Sequence, residues 1–277
     1  MDHVEPPAWP DGAATVHLGT SAVVLPRGWA VNRMLRLGAG AALDVQVADT
    51  RFAALVAADG SVTRLKGLVP PLAADESGAF LAGVVSGEGR GRGLAVYDVA
   101  QRRVRAQTPD LPAATPRAVL GDGTVLASVV EGDEESARSW SWAPGSTPRR
   151  LPVTGRVSGA AAGRLLVDDG GGWSLADGAG VRQRRLPELG AGGAVARLSS
   201  GGRAAVVDGR SLRVVTGAEV TLLRLPFPVT TLRWVGEDTL LAWDETAFER
   251  SYLACRPASG TCSPYSFPGR GASVVSE

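Results

Sequence analysis

The feature that most constrains this chain is a four-strand segment that recurs along it about every 40 residues. The segment is clearest at 229–268, where short polar turns separate four apolar stretches: Thr230–Val235, Thr239–Trp243, Ser251–Arg256 and Thr261–Phe267. Short alternating stretches bounded by turn residues predict β-strands. A repeating four-stranded unit of this length is the sequence signature of a β-propeller.

The same unit can be placed on the chain six times. The predicted second strands are 36 to 45 residues apart and begin near Leu43, Phe80, Val125, Leu165, Ala204 and Leu240. The units lie near 30–68, 72–109, 117–153, 156–189, 194–227 and 229–268. We therefore predict an all-β, six-bladed propeller over 14–270, with an irregular arm at 1–13 and a tail at 271–277. Residues 14–25 are expected to supply a closing strand that pairs with 261–267. The alternatives are seven blades or an incomplete first blade.

Composition excludes several classes of protein. The formal net charge of +1 leaves no electrostatic footprint for nucleic acid or an anionic membrane. No apolar run approaches the roughly 18 residues that a membrane-spanning helix needs. The only histidines are His3 and His17, so the sequence predicts neither a histidine metal site nor a Ser-His-Asp triad. We predict no metal and no cofactor.

Two cysteines lie in the last unit, on either side of a predicted hairpin turn at 257–260. The turn places Cys255 and Cys262 opposite each other on neighbouring strands, about 4.5–5.5 Å apart at Cβ, which strand twist brings within disulfide reach. A disulfide between them would indicate an oxidising compartment. The alternative is a pair of free thiols in a cytoplasmic protein.

Several turn motifs resemble those of a known group of proteins. They are Asp75-Glu76-Ser77-Gly78, Gly121-Asp122-Gly123 and Ser200-Gly201-Gly202, together with the Cys255–Cys262 hairpin. Over about 30–268 the chain resembles the TolB-like and WD40-like repeat propellers, especially extracytoplasmic ones from actinobacteria. The resemblance implies the propeller architecture and a location outside the cytoplasm. It leaves the function open, because propellers of this kind serve as binding modules and also as hydrolases and lyases.

Arginine recurs near the start of the predicted first strands, which line the central channel of a propeller. Arg117, Arg197 and Arg233 are the candidate ligand-binding residues, because the guanidinium fork matches carboxylate and phosphate groups. The alternative is that these arginines pair with nearby acids or reflect an arginine-rich composition that contains a single lysine, Lys66.

Every connection between a second and a third strand carries an acid. The acids are Asp49, Glu88, Glu131, Asp168, Asp208 and Asp244, and five of them are followed by Arg51, Arg90, Arg138, Arg210 or Arg250. One end of the propeller is therefore expected to be lined with alternating charge. The candidate catalytic acids are Asp244, Glu131 and Asp168. The alternative is a set of exposed ion pairs, each contributing about 0–1 kcal/mol.

These features favour a non-catalytic binding or scaffold propeller that presents a polar face to a protein or cell-wall glycan ligand. The alternative is a hydrolase or lyase that acts on a polar or anionic small molecule or glycan in the central channel. We expect a monomer located outside the cytoplasm, secreted or anchored by a segment not present in this chain. The alternative location is the cytoplasm.

Overall fold

The structure is a computed structural model that describes residues 2–5, 12–85, 93–129, 138–153, 155–161, 163–190, 195–244 and 251–266. The described residues form antiparallel β-strands, joined by turns and by two short 3-10 helices at Pro187–Leu189 and Pro257–Ser259. The all-β prediction is confirmed.

The strands form seven sheets, which we number as blades in chain order. Blade 1 contains β1 His3–Glu5, β2 Thr15–Leu18 and β3 Ser21–Val24. Blade 2 contains β4 Ala30–Leu37, β5 Gly40–Val47, β6 Thr50–Val56 and β7 Val62–Arg64. Blade 3 contains β8 Leu68–Ala74, β9 Phe80–Val85, β10 Leu94–Asp98 and β11 Arg103–Thr108. Blade 4 contains β12 Thr115–Val119, β13 Val125–Val129, β14 Arg138–Trp142 and β15 Arg149–Arg150.

The last three blades follow the same four-stranded order. Blade 5 contains β16 Arg156–Ala161, β17 Arg164–Asp168, β18 Trp173–Asp177 and β19 Arg182–Leu186. Blade 6 contains β20 Val195–Leu198, β21 Ala204–Asp208, β22 Ser211–Thr216 and β23 Glu219–Arg224. Blade 7 contains β24 Thr231–Val235, β25 Thr239–Trp243, β26 Tyr252–Arg256 and β27 Thr261–Tyr265.

The blade count corrects the leading prediction of six and matches the alternative of seven. Residues 14–25 do not close blade 7 among the described residues, because β2 pairs with β1 on one side and with β3 on the other, whereas β27 pairs with β26. The predicted irregular arm also includes a strand, since His3–Glu5 is β1. The side chains explain why this segment is ordered: Val4 and Val16 are buried, and the rings of His3 and His17 stack 4.3 Å apart.

The chain divides into two compact units. Residues 2–5, 12–85, 93–129 and 142–148 belong to the first, and residues 138–141 together with the described part of 149–266 belong to the second. In the first unit, one core cluster joins blades 1 and 2 and another joins blades 2 and 3. In the second unit, one cluster joins blades 5 and 6 and another joins blades 6 and 7. Within each unit, the buried faces of these blades are therefore packed against neighbouring blades, as alternating strands require.

The turn motifs have a direct physical role. The carboxylate of Asp75 accepts hydrogen bonds from the backbone N–H of Ser77 at 3.1 Å and of Phe80 at 2.6 Å. The carboxylate of Asp122 accepts one from the N–H of Thr124 at 2.8 Å. Side-chain oxygens that bind nearby amides favour turns over continued strands. These motifs therefore set the hairpins between first and second strands.

Three of the first strands contain a β-bulge near their start. The register shifts between Val31 and Arg33 in β4, between Pro116 and Ala118 in β12, and between Val157 and Gly159 in β16. In β8 the shift falls between Val69 and Ala73, so Val69-Pro70 lies inside a first strand. A bulge turns side chains away from the regular alternation. This matters for Arg117, the extra residue of the β12 bulge.

Candidate functional site

Arg117 is an exposed side chain at the bulge of the first strand of blade 4. Its Nε donates a hydrogen bond at 2.5 Å to the Oγ of Ser128, which is buried on β13. A buried hydroxyl therefore orients the guanidinium, while the Arg117 side chain remains exposed to solvent. Such an arrangement lowers the conformational entropy that an arginine loses when it binds a ligand.

Arg197 and Arg233 lie on neighbouring first strands of the second unit. The indole Nε1 of Trp234 donates to the carbonyl oxygen of Arg197 at 3.5 Å, which links β24 to β20. Trp234 packs with the cluster between blades 6 and 7. Because side chains alternate along a strand, Arg233 lies on the opposite face of β24 from Trp234. Arg233 is only 8% exposed, whereas Arg197 is partly exposed and donates Nη1 to the carbonyl of Ala196 at 2.9 Å.

The two described candidate acids, Asp168 and Asp244, each accept a hydrogen bond from another residue. The Oδ1 of Asp168 accepts a hydrogen bond from the N–H of Gly170 at 2.9 Å, at the end of β17. The Oδ1 of Asp244 accepts one from the hydroxyl of Thr230 at 3.1 Å, next to β25. Both are partly buried. Glu131 lies outside the described residues, as do Glu88, Arg90 and Arg250.

The expected alternation of charge takes a different form in blade 2. Arg51 pairs with Asp44 of the middle strand β5, and Asp49 in the connecting turn is exposed. Asp44 is 1% exposed. The hydrogen bond from Arg51 to the carboxylate of Asp44 raises the pKa of Arg51, and the negative charge of that carboxylate raises it further. The sequence analysis did not single out Asp44, because one acidic residue within an apolar strand looks like an ordinary solvent-facing position of an alternating strand.

The two cysteines form the predicted disulfide. Cys255 and Cys262 are register partners in β26 and β27, with their Cα atoms 4.0 Å apart. Gly260 completes the turn between them with φ of 65°, in the left-handed region that glycine adopts without strain. Cys255 is fully buried in the cluster between blades 6 and 7. The bridge therefore fastens the outer hairpin of blade 7 to its core.

A cleft that the sequence did not predict lies between blades 5 and 6. Its volume is about 200 Å³, and it is lined by Arg164, Leu175, Gln183, Arg184, Gly202, Ala204, Val215 and Gly217. These residues lie toward the hairpins that join first to second and third to fourth strands. In an antiparallel blade those hairpins are at the opposite end from Asp168 and Asp208. No local signal marks the lining arginines, because they come from two different strands of blade 5 in an arginine-rich chain.

Two negative findings apply to the described residues. None of the helices there is long and apolar enough to cross a membrane. In the same part of the chain, no three or more histidine, cysteine, aspartate or glutamate side chains come together in a group that could hold a metal ion.

The fold is similar to several solved β-propeller structures. The β-propeller domain of the Trilobed protease from Pyrococcus furiosus matches with a TM-score of 0.64 and 10% identity, over 95% of this chain and 90% of that one. TolB from Acinetobacter baumannii matches with a TM-score of 0.53 and 12% identity, over 99% of this chain and 65% of that one. At this level of identity the similarity shows the fold alone.

A match of similar quality comes from a longer protein. The acylaminoacyl peptidase from Pyrococcus horikoshii has a TM-score of 0.62 and 12% identity, over 92% of this chain and 48% of that one. The chain thus spans about half the length of that peptidase. Comparison with protein-family models and with curated protein sequences finds no match.

Proposed function

We propose that this chain is a non-catalytic binding propeller that presents a polar surface around Arg117 to a protein or cell-wall glycan ligand. The observation that carries the proposal is the exposed guanidinium at the β12 bulge, oriented by the buried hydroxyl of Ser128. Bulges often redirect side chains at functional sites. An oriented guanidinium suits a carboxylate, which both proteins and peptide-bearing cell-wall fragments offer.

The disulfide supports a location outside the cytoplasm, because thiols are kept reduced in most cytoplasms. We propose an extracytoplasmic monomer, comparable to the TolB-like propellers of actinobacterial type. Thiol trapping on cells harvested with an alkylating agent tests the location. The proposal predicts that Cys255 and Cys262 are protected from alkylation until a reductant is added, and alkylation without reductant would contradict it.

The binding function is tested with immobilised protein and an extracytoplasmic extract of the source organism. Arg117→Ala removes the guanidinium, and Arg149→Ala, an exposed arginine of β15 in the same blade, is the control for lost charge. The proposal predicts a component that the native chain and the control both retain and the Arg117 variant loses. Equal retention by all three, or retention of nothing by the native chain, would contradict the proposal.

The alternative function is an enzyme that uses Asp168 or Asp244 on a polar or anionic substrate. Its test is a screen of glycan and ester hydrolysis and of lyase activity with the native chain. An activity lost in Asp168→Asn or Asp244→Asn, with the fold intact, would favour the enzyme over the binding module.

A further inference from the structure

We propose that the cleft between blades 5 and 6 is a binding site for a tetrahedral oxyanion, a phosphate ion or a terminal phosphoryl group. The cleft lies within the second unit, whereas Arg117 belongs to the first. The cleft combines a guanidinium that is available for binding, a second guanidinium that is fixed in place, and a turn glycine, Gly202, that leaves space beside the first.

Arg164 is the available group. It is exposed at the start of β17 and makes no hydrogen bond or ion pair with any described residue. Asp177 faces it in the register of β17 and β18, but the Oδ1 of Asp177 accepts hydrogen bonds from the N–H groups of Ala179 and Val181 in its own turn. Asp177 is therefore engaged in its own turn, and it forms no ion pair with Arg164.

Arg184 is the fixed group. Its Nη1 donates to the carbonyl oxygen of Gly217 in the neighbouring blade, and its Nη2 lies 3.4 Å from Oε1 of Glu188. These contacts hold the guanidinium at the edge of the cleft and leave its remaining N–H groups for a ligand, because a guanidinium has five donors. Glu188 offsets part of the charge of Arg184, which makes Arg164 the main source of attraction.

Gly202 provides the space that this arrangement needs. A Cβ at this position would lie 3.3 Å from Nη1 of Arg164, and the residue has φ of +77°. A larger side chain would therefore push Arg164 out of its position. Gln183 adds an amide that can donate a further hydrogen bond at the edge of the cleft.

The size and geometry favour a small tetrahedral anion. The cleft of about 200 Å³ is smaller than the roughly 300–1,000 Å³ typical of sites for drug-sized ligands. Guanidinium groups that approach from two different strands can each bind a separate pair of oxygens of a phosphate, whereas a planar carboxylate is satisfied by one fork. A phosphate monoester at neutral pH carries about −1.5 to −2 charges, which favours a site that holds two guanidinium groups over a site with one.

The test is calorimetric titration of the whole chain with sodium phosphate, glycerol phosphate and sodium acetate at constant low ionic strength. We expect saturable one-to-one binding of a phosphate compound, weaker binding of acetate, and a rise in Kd of at least tenfold in Arg164→Ala. Arg224→Ala, an exposed arginine of β23 outside the cleft, is the control and should bind as the native chain does. The tighter of the two phosphate ligands identifies the source of the group.

Three results would overturn the proposal: no saturable binding of either phosphate compound, acetate binding as tight as phosphate binding, or equal losses in Arg164→Ala and Arg224→Ala. The thermal midpoint of each variant is measured beside the titration. Arg164→Ala is expected to keep the native midpoint, because its side chain makes no bond to the described residues.

Discussion

Arg51 donates two hydrogen bonds to the buried carboxylate of Asp44, with Nε 2.8 Å from Oδ1 and Nη2 bonded to Oδ2. Asp44 is 1% exposed at its side chain and Arg51 is 54% exposed, so the pair reaches from the core of blade 2 to its surface. The arrangement is asymmetric: the arginine can return to water if its partner is lost, but the aspartate cannot.

Arg51→Ala should therefore destabilise the fold, by about 2–3 kcal/mol, because it leaves a buried carboxylate without its charged donor. Asp49→Ala is the control, since Asp49 is exposed in the adjacent turn. The midpoint of urea unfolding measures both variants. An equal loss in the two would show that the Asp44–Arg51 pair adds nothing beyond ordinary turn chemistry.

The disulfide should contribute about 2–2.5 kcal/mol, from the chain entropy removed by closing a loop with a sequence separation of 7. We expect the unfolding midpoint of the native chain to fall when a reductant is present throughout unfolding and refolding. The variant with both Cys255→Ala and Cys262→Ala should not respond to the reductant. A native midpoint that is insensitive to reductant would contradict this estimate.

Gly78 is required for the contact between blades 2 and 3. It has φ of +73°, and a Cβ there would lie 2.5 Å from the Cα of Leu37. Gly78→Ala should cost roughly 2–5 kcal/mol from backbone strain and overpacking together. Gly67→Ala separates the two effects, because Gly67 has φ of +80° and nothing within 4 Å of the added Cβ. It should cost only the strain, about 1–2 kcal/mol, and equal losses would rule out the steric part.

Asp59 should make a small contribution to stability that depends on pH. The nearby side chain and backbone N–H of Ser61 lower the pKa of Asp59, and that N–H donates a hydrogen bond to Oδ1 of Asp59 at 2.8 Å. A pKa that is lower in the folded state stabilises the protein above the unfolded pKa, and this stabilisation is lost as pH falls through the folded value. Asp59→Asn should therefore differ most from the native chain near pH 7 and converge with it as pH falls through the folded pKa of Asp59. A difference that grows on acidification would contradict this sign.

The repeat period and the four-stranded unit were predictable, because alternation and turn residues are local properties. Blade 1 was part of the alternative prediction of seven blades and was left out of the leading one, because its strands are short and β1 occupies only His3–Glu5, within a segment that is rich in proline. The strands at 14–25 were predicted, but the strand that they pair with was not. The alternation of apolar and polar residues in β2 does not indicate which strand lies beside it. Sequence alone does not choose between possible partners of an isolated strand.

The site residues show a similar division. The Cys255–Cys262 bridge was predictable, because a hairpin fixes the geometry over eight residues. The Arg117 bulge was not, because one extra residue in a strand leaves no compositional trace. The cleft at Arg164 and Arg184 depends on how β19 of one blade meets Gly202 and Gly217 of the next. A sequence pattern that describes one blade at a time does not predict contacts between blades.

The measurement that tests the binding function most directly is the Kd of the captured component for four forms of the chain: native, Arg117→Ala, Ser128→Ala and Arg149→Ala. We predict that Arg117→Ala raises Kd at least tenfold and Arg149→Ala leaves it unchanged. Ser128→Ala should fall between them, because it keeps the charge of Arg117 but removes the hydroxyl that orients it. A Kd that is the same for the native chain and Arg117→Ala would contradict the account.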